Sequence, residues 1–291
     1  MRIRRLSIGL LLLAISTSAQ QKPVKVFISA DMEGIGGVVS DDQTSSKGGE
    51  YEEFRTLMTR EVNAAIAGAY DAGAGEVLVT DSHGDHQNID VTLLDPRADL
   101  VRGSPSPLGM MQGLDSSFAA AVFIGFHAGE GTADAVLSHT FDGRMTIKLN
   151  GMPVSEGGFD AAIAGDFGVP VVFLSGDQTS CQQIKDLLGP IETVAVKQAF
   201  GFYAARMMAP EKSQALIRAG VKKALERRDE IKPFKLAHPV DVQIRFKNVV
   251  DAEVVSYLPG VKRLDGNLIE FSATDMAEAS RFQRAIGYIK P

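Results

Sequence analysis

Residues 24–37 read VKVFISADMEGIGG. An apolar, partly β-branched run (Val24, Val26, Phe27, Ile28) ends abruptly in two acids, Asp31 and Glu33, followed by Gly34, Gly36 and Gly37. This is the pattern of a buried strand that delivers carboxylates to its carboxyl end. Side chains at i and i+2 of an extended chain point the same way, so Asp31 and Glu33 can converge while Met32 points elsewhere. Converging carboxylates repel unless something positive lies between them, and a metal ion is the usual solution.

The pattern recurs. Residues 76–80 (EVLVT) run into Asp81, Ser82 and His83, and residues 119–126 (AAAVFIGF) run into His127. Ligands of open α/β sheets bind outside the carboxyl ends of parallel strands, so three such ends place Asp31, Glu33, His83 and His127 along one rim. Between the first two runs, residues 50–72 show helical spacing, with Phe54, Leu57, Met58, Val62, Ala65, Ile66, Ala69 and Tyr70 on one stripe and Gly73 as the stop. Strand, helix and strand form a βαβ unit, which requires a parallel pair. A fourth run, residues 169–175 (VPVVFLS), leads into Gly176 and Asp177, and residues 157–167 before it read as a helix. The expected fold is α/β: a parallel-sheet βαβ main domain over residues 20–205 and a smaller C-terminal α+β portion over 206–291. In that second portion we expect a helix over 210–230, a linker over 232–239 and an alternating strand over 240–246. A hairpin turn at Asp265-Gly266 and a last helix capped by Asp275 with Glu278 complete it. Residues 86–117 form a long irregular stretch, the kind of loop that usually serves a function.

Composition is that of an ordinary globular protein, 45% apolar and 23% charged over 291 residues. The net charge of −6, without a Lys/Arg cluster, excludes an electrostatic case for nucleic acid as a partner. Cys181 is the only cysteine, which excludes an intrachain disulfide and a cysteine-based zinc site, and reads as a buried small apolar residue. Residues 1–19 have the three-part layout of a cleavable secretory signal: basic Arg2, Arg4 and Arg5, an apolar core from Leu6 to Ile15, and small residues before a cut ahead of Gln20. Its apolar core of about ten residues is short for a span that needs roughly 20, so no stable membrane anchor is expected. The expected location is outside the cytoplasm, periplasmic or secreted.

The groups able to bind metal or move protons are Asp31, Glu33, Asp81, His83, His86, His127, His139, Glu156, Asp177 and His238. Three carboxylates and two imidazoles (Asp31, Glu33, Glu156, His83, His127) suit zinc. Five ligands exceed the need of one catalytic zinc, whereas two divalent ions sharing a carboxylate fit both the count and the charge. Each residue also has a plainer reading. His83 could be a loop histidine held by Asp81 and Ser82, with Asp81 as its orienting partner if it is a ligand. His127 could be a core histidine, and Glu156 a partner for a helix dipole. His86 and His238 read as exposed loop or linker residues, and Asp177 as a structural acid or one that supports a ligand from behind.

Taken together, Asp31-Met32-Glu33-Gly34, Thr80-Asp81-Ser82-His83, Gly125-Phe126-His127-Ala128, Leu137-Ser138-His139 and residues 150–157 (NGMPVSEG) resemble, in order, the D-aminopeptidases of the DppA type, peptidase family M55. The resemblance extends to residues 195–198 (AVKQ) and 258–260 (LPG). It implies a di-zinc hydrolase with metal ligands at Asp31, Glu33, His83, His127 and Glu156. Asp31 would bridge, with Glu33 and His83 on one ion and His127 and Glu156 on the other. His139 takes the position of the family's catalytic side chain beyond the metal shell. The resemblance also implies a ring-shaped homo-oligomer, a decamer of two stacked pentamers. The export signal and residues 141–149 (FDGRMTIKL) depart from the family pattern. The expected reaction removes the N-terminal, D-configured amino acid from short peptides by a di-metal-activated hydroxide, with D-Ala-containing peptides as substrates suited to an exported enzyme. The alternatives are a di-metal L-peptidase, amidase or phosphoesterase, or a metal-dependent peptide-binding protein without turnover.

Overall fold

The computed structural model describes residues 23–289, so the signal-peptide reading of residues 1–19 lies outside the described residues. The first strand, β1 (Val24–Ala30), is followed by a short helix α1 (Asp41–Thr44), the long α2 (Tyr51–Asp71), β2 (Ala74–Asp81), β3 (Asp99–Val101) and β4 (Ala120–Phe126). Next come β5 (Met145–Leu149), β6 (Met152–Val154), α3 (Glu156–Asp166), β7 (Val171–Asp177), α4 (Gln178–Leu188), β8 (Glu192–Gly201) and β9 (Ala204–Met207). The chain closes with α5 (Pro210–Glu226), β10 (Val240–Phe246), α6 (Val249–Val255), β11 (Lys262–Arg263), β12 (Leu268–Ala273) and α7 (Met276–Gly287).

Seven strands form the larger sheet in the order β3-β2-β1-β4-β7-β8-β9, parallel except for the antiparallel edge strand β9. The chain winds outward from β1 through β2 to β3, then returns to the other side of β1 as β4. Strand order therefore reverses between β1 and β4, and the crevice of a doubly wound sheet opens at such a reversal, beyond the carboxyl ends. Alternation along the strands loads both faces. Val26 and Ile28 of β1 join Val62 and Ile66 of α2 and Ile217 and Val221 of α5 in one core. Phe27 joins Phe123, Phe126 and the buried face of the second sheet in another.

That second sheet has five strands in the order β11-β12-β10-β5-β6, all antiparallel. Its central strand β10 alternates as its sequence predicts, with Val240, Val242, Ile244 and Phe246 buried. Between the two sheets lies α3, buried from Glu156 to Gly165. Close packing on most faces fits its Gly and Ala content, while the acids Glu156 and Asp160 are buried along with it. The two sheets do not divide the chain at residue 205. β5 and β6 pair into the smaller sheet, and α5 packs on the larger one, because the stripe Ile217, Val221, Ala224 and Leu225 completes the core that α2 begins.

Beyond the last paired residues, β1 and β4 stay together. Asp31 N donates to Ile124 O and Gly34 N to Gly125 O, at 2.8 and 2.7 Å. Only glycine permits this approach. An added Cβ at Gly34 would sit 2.2 Å from Phe126 O, and one at Gly125, where φ is +72°, would sit 2.2 Å from Asp31 O.

Candidate metal centre

Four strand or helix ends deliver the site. Asp31 and Glu33 leave β1, His83 follows β2, His127 follows β4, and Glu156 opens α3 behind its N-cap Ser155, which accepts a hydrogen bond from Gly158 N. The loop that carries Glu33 is fixed by a residue that sequence reasoning left without a role: Lys197 of β8. Its buried ammonium donates to the carbonyls of Glu33, Ile35 (3.0 Å) and Val38 (2.7 Å).

Three imidazoles are aimed inward by the same device. His83 Nε2 lies 3.0 Å from Thr44 O, His127 Nδ1 2.9 Å from Ala128 O, and His139 Nδ1 2.8 Å from Leu137 O. A carbonyl can only accept, so each of these ring nitrogens carries a hydrogen and the opposite nitrogen is the one free to take a cation. Those opposite nitrogens all face carboxylates. His83 Nδ1 lies 3.2 Å from Asp31 Oδ1 and 3.0 Å from Glu33 Oε2. His127 Nε2 lies 3.4 Å from Asp31 Oδ2 and 3.3 Å from Glu156 Oε1, and His139 Nε2 lies 3.6 Å from Glu156 Oε1. The His127 and His139 rings stack, with centroids 4.1 Å apart.

Two triads result, Asp31–Glu33–His83 and His127–His139–Glu156, each with ligand atoms within 4.8 Å of one another. Asp31 joins them, one oxygen facing each imidazole. Whether a metal fits is answered by the unsatisfied atoms: Asp31 Oδ2, Glu33 Oε2 and His127 Nε2 are buried without a hydrogen-bond partner. Native proteins rarely leave such atoms alone, and here all three point into the acidic pocket. The oxygen and nitrogen donor set is one that zinc accepts.

The electrostatics show the same demand for positive charge. Burial, reinforced by the charge of Glu33, pushes Asp31 up to about 6. Burial would raise Glu33 as well, but His83 holds it well below the usual range. Burial disfavours charge on His127, yet Glu156 and Asp31 raise it to about 10.

The structure brings together all six residues singled out by sequence: Asp31, Glu33, His83, His127, Glu156 and His139. Other expectations change. His86 is not an exposed loop residue. It is 2% exposed, with φ of 60°, where residues 84–103 fold back so that Gly103 N bonds its carbonyl. Burial, aided by the charge of Arg284, depresses its pKa to about 4. Asp81 does not orient the His83 ring. Its carboxylate accepts from Asn88 N, Asn88 Nδ2 and Ile89 N, and Asn88 Nδ2 in turn reaches the His83 carbonyl. Asp177 is the N-cap of α4 and accepts from Ser180 N and Val136 N. His238 is exposed and meets Asp166 at 2.9 Å.

The centre opens into a cavity of about 820 Å³. Its walls also include His86, already named among the candidate groups, and Phe202, Tyr203, Arg284 and Tyr288, which no sequence motif marked. Only the amphipathic spacing of α7 hinted at such a wall, and spacing alone does not reveal what a helix faces.

Comparison with known proteins agrees with this geometry. The profile of the M55 peptidase family, described as D-aminopeptidase, matches residues 24–285. A D-aminopeptidase from Bacillus subtilis (strain 168) is 36% identical over 258 residues, covering 88% of this chain and 94% of that protein. The solved structure of the Zn-dependent D-aminopeptidase DppA from Bacillus subtilis, described as a self-compartmentalizing protease, superposes with a TM-score of 0.89 at 35% identity. That superposition covers 91% of this chain and 97% of the solved one.

Proposed function

The chain belongs to the M55 family of D-aminopeptidases, and from that premise we propose how it works: as a zinc-dependent aminopeptidase that releases the N-terminal amino acid of short peptides. The observation that carries this reading is the pair of triads joined through Asp31, with unsatisfied buried atoms facing inward where strand order reverses.

Asp31, Glu33 and His83 would hold one zinc ion, and His127 and Glu156, with Asp31, would hold the second. When bound, the two ions activate water and polarise the scissile carbonyl. The chain's own groups do the rest. Backbone carbonyls of Thr44 and Ala128 keep the His83 and His127 rings turned inward. The Lys197 clamp fixes Glu33 in register with Asp31. His139 is the group that moves the proton. Its side chain is 24% exposed, against 1% for His127, so it meets both the centre and the cavity. With Nδ1 donating to Leu137 O, its unprotonated Nε2 takes a proton from the attacking water and returns it to the departing amine as the amide C–N bond breaks, leaving a free amino acid and a peptide shortened by one residue.

The finer features are extensions of this reading. We assign the chain a preference for D-configured N-terminal residues, with D-Ala peptides as substrates, and a homo-oligomeric assembly. Both are supported by the relatives described as a D-aminopeptidase and as a self-compartmentalizing protease. Residues 1–19 support export to the periplasm or medium. No helix among the described residues is long and apolar enough to cross a membrane.

The test is release of D-Ala from D-Ala-D-Ala beside L-Ala from L-Ala-L-Ala, by the chain from Gln20 loaded with zinc. D-selective, chelator-sensitive turnover is expected. L-selective turnover would keep the metal chemistry and discard the stereochemical assignment, and turnover of neither peptide would discard the aminopeptidase.

A further inference from the structure

One wall of the cavity is made by α7 and its C-cap. Gln283, Arg284, Gly287 and Tyr288 recur at i, i+1, i+4 and i+5, so they share one helical face, and all four line the cavity that Asp31, Glu33 and Glu156 also line. Arg284 is the only lysine or arginine among the described lining residues.

Its surroundings hold it in place without an ion pair among the described residues; its charge reaches the Asp160 carboxyl, but burial raises that group well above the usual carboxylate range. Arg284 Nη2 donates to Ser104 Oγ, which lies 3.0 Å from the Tyr288 hydroxyl. Its stem passes over Gly109, where an added Cβ would sit 3.1 Å from Arg284 Cδ. Ser104 Oγ is the one acceptor the guanidinium has among the described residues, and Nε is buried with none. A partly dehydrated guanidinium without an anion is unfavourable, and its planar fork matches a carboxylate. The cavity is therefore polarised, with carboxylates and metal sites at the strand ends and a single fixed cation on α7. A short peptide is polarised too, with an ammonium at one end and a carboxylate at the other.

We propose that Arg284 determines specificity by binding the free α-carboxylate of a short peptide, at the end opposite the residue that is removed. The proposal rests on the aminopeptidase reading and narrows it, because it makes the substrate class short peptides with an unmodified carboxyl terminus. Peptides that are amidated or extended past the reach of Arg284 lose this contact.

The experiment compares D-Ala-D-Ala with its C-terminal amide on the zinc-loaded enzyme and on R284Q and R284K, with melting temperature and zinc content measured for each. Wild type should favour the free acid by about tenfold to a hundredfold in kcat/KM, the range for a hydrogen bond to a charged group. R284Q should bring that ratio close to one through a raised KM for the acid. R284K, which keeps the charge and loses the fork, should fall between. Equal turnover of acid and amide by wild type, or an unchanged ratio in R284Q, overturns the proposal. Calorimetric titration of both peptides reads the same contact without turnover. Tighter binding of the acid that vanishes in R284Q upholds the carboxylate contact even if neither peptide is cleaved, an outcome that would instead remove the aminopeptidase reading. Equal binding of acid and amide removes the contact.

Discussion

His139 differs from the other imidazoles of the centre in exposure, at 24% against 14% for His83 and 1% for His127. That difference separates holding a metal from serving the substrate, although His139 Nε2 is also close enough to Glu156 to complete a triad. The two roles make opposite predictions. In H139N, kcat should fall by about 10²–10⁴-fold, the usual contribution of a general acid or base, while zinc measured by atomic absorption stays at the wild-type content. A loss of zinc equal to the loss of activity would make His139 a ligand instead. For H127A the expectation is the reverse. Its Nε2 is a buried, unsatisfied atom facing two carboxylates, so zinc and activity should fall together, each by at least about a hundredfold in affinity or rate. At this scale the sequence was most legible. An acid or imidazole directly after an apolar run is placed by the strand itself, so Asp31, Glu33, His83 and His127 could be picked out. His86 could not, because its burial depends on a loop that folds back from a distance.

The elements around the centre supply positions rather than ligands. β8 carries Lys197 across to the carbonyls of Glu33, Ile35 and Val38, and no local pattern announces that a lysine will lie 3% exposed. K197M keeps much of the bulk and removes three hydrogen bonds from the loop bearing Glu33. Zinc affinity in a competition titration should drop by about 10–100-fold, as for other groups that orient ligands from behind. An unchanged affinity would show that the loop is held by its other contacts. α2 contributes Glu61, whose Oε1 accepts from Gly36 N (3.1 Å) and from the Ser213 hydroxyl of α5 (2.8 Å). Burial pushes this carboxyl up to about 7 from 4.5, against the pull of Ser213, Gly36 and Lys197. The folded state therefore holds its proton more tightly than the unfolded chain. The associated stability is complete below pH 4.5 and is lost as pH rises through about 7, an effect on the order of 3 kcal/mol. Denaturant unfolding of E61Q should lack this decline between pH 5 and 8, to within the contribution of other groups. A decline as steep as that of wild type would place its origin elsewhere.

For the whole molecule, the two sheets and the helix between them turn separated strand ends into one centre with one cavity. Phe200 near the end of β8 and Phe202 and Tyr203 in the turn to β9 are exposed, and Phe202 and Tyr203 stand at the cavity. Such an apolar edge accords with the proposed self-association. Light scattering of the chain from Gln20 should give a mass several times that of one chain, and a monomeric mass would refute the assembly. The strand-to-ligand pattern, the parallel pairing around β1, the alternation of β10 and the helical stripes of α2 and α5 all follow from local periodicity, because side-chain direction repeats every 2 residues in a strand and every 3.6 in a helix. What the sequence by itself determined is thus the α/β class, the rim of candidate ligands and, by resemblance, the family. Three features came only from the tertiary structure: the membership of β5 and β6 in the second sheet, the clamp by Lys197, and the wall that brings Arg284 to the cavity the acids line. Each depends on contacts between residues far apart in the chain, whose formation reflects the packing of the whole molecule and leaves no periodic trace in any one segment.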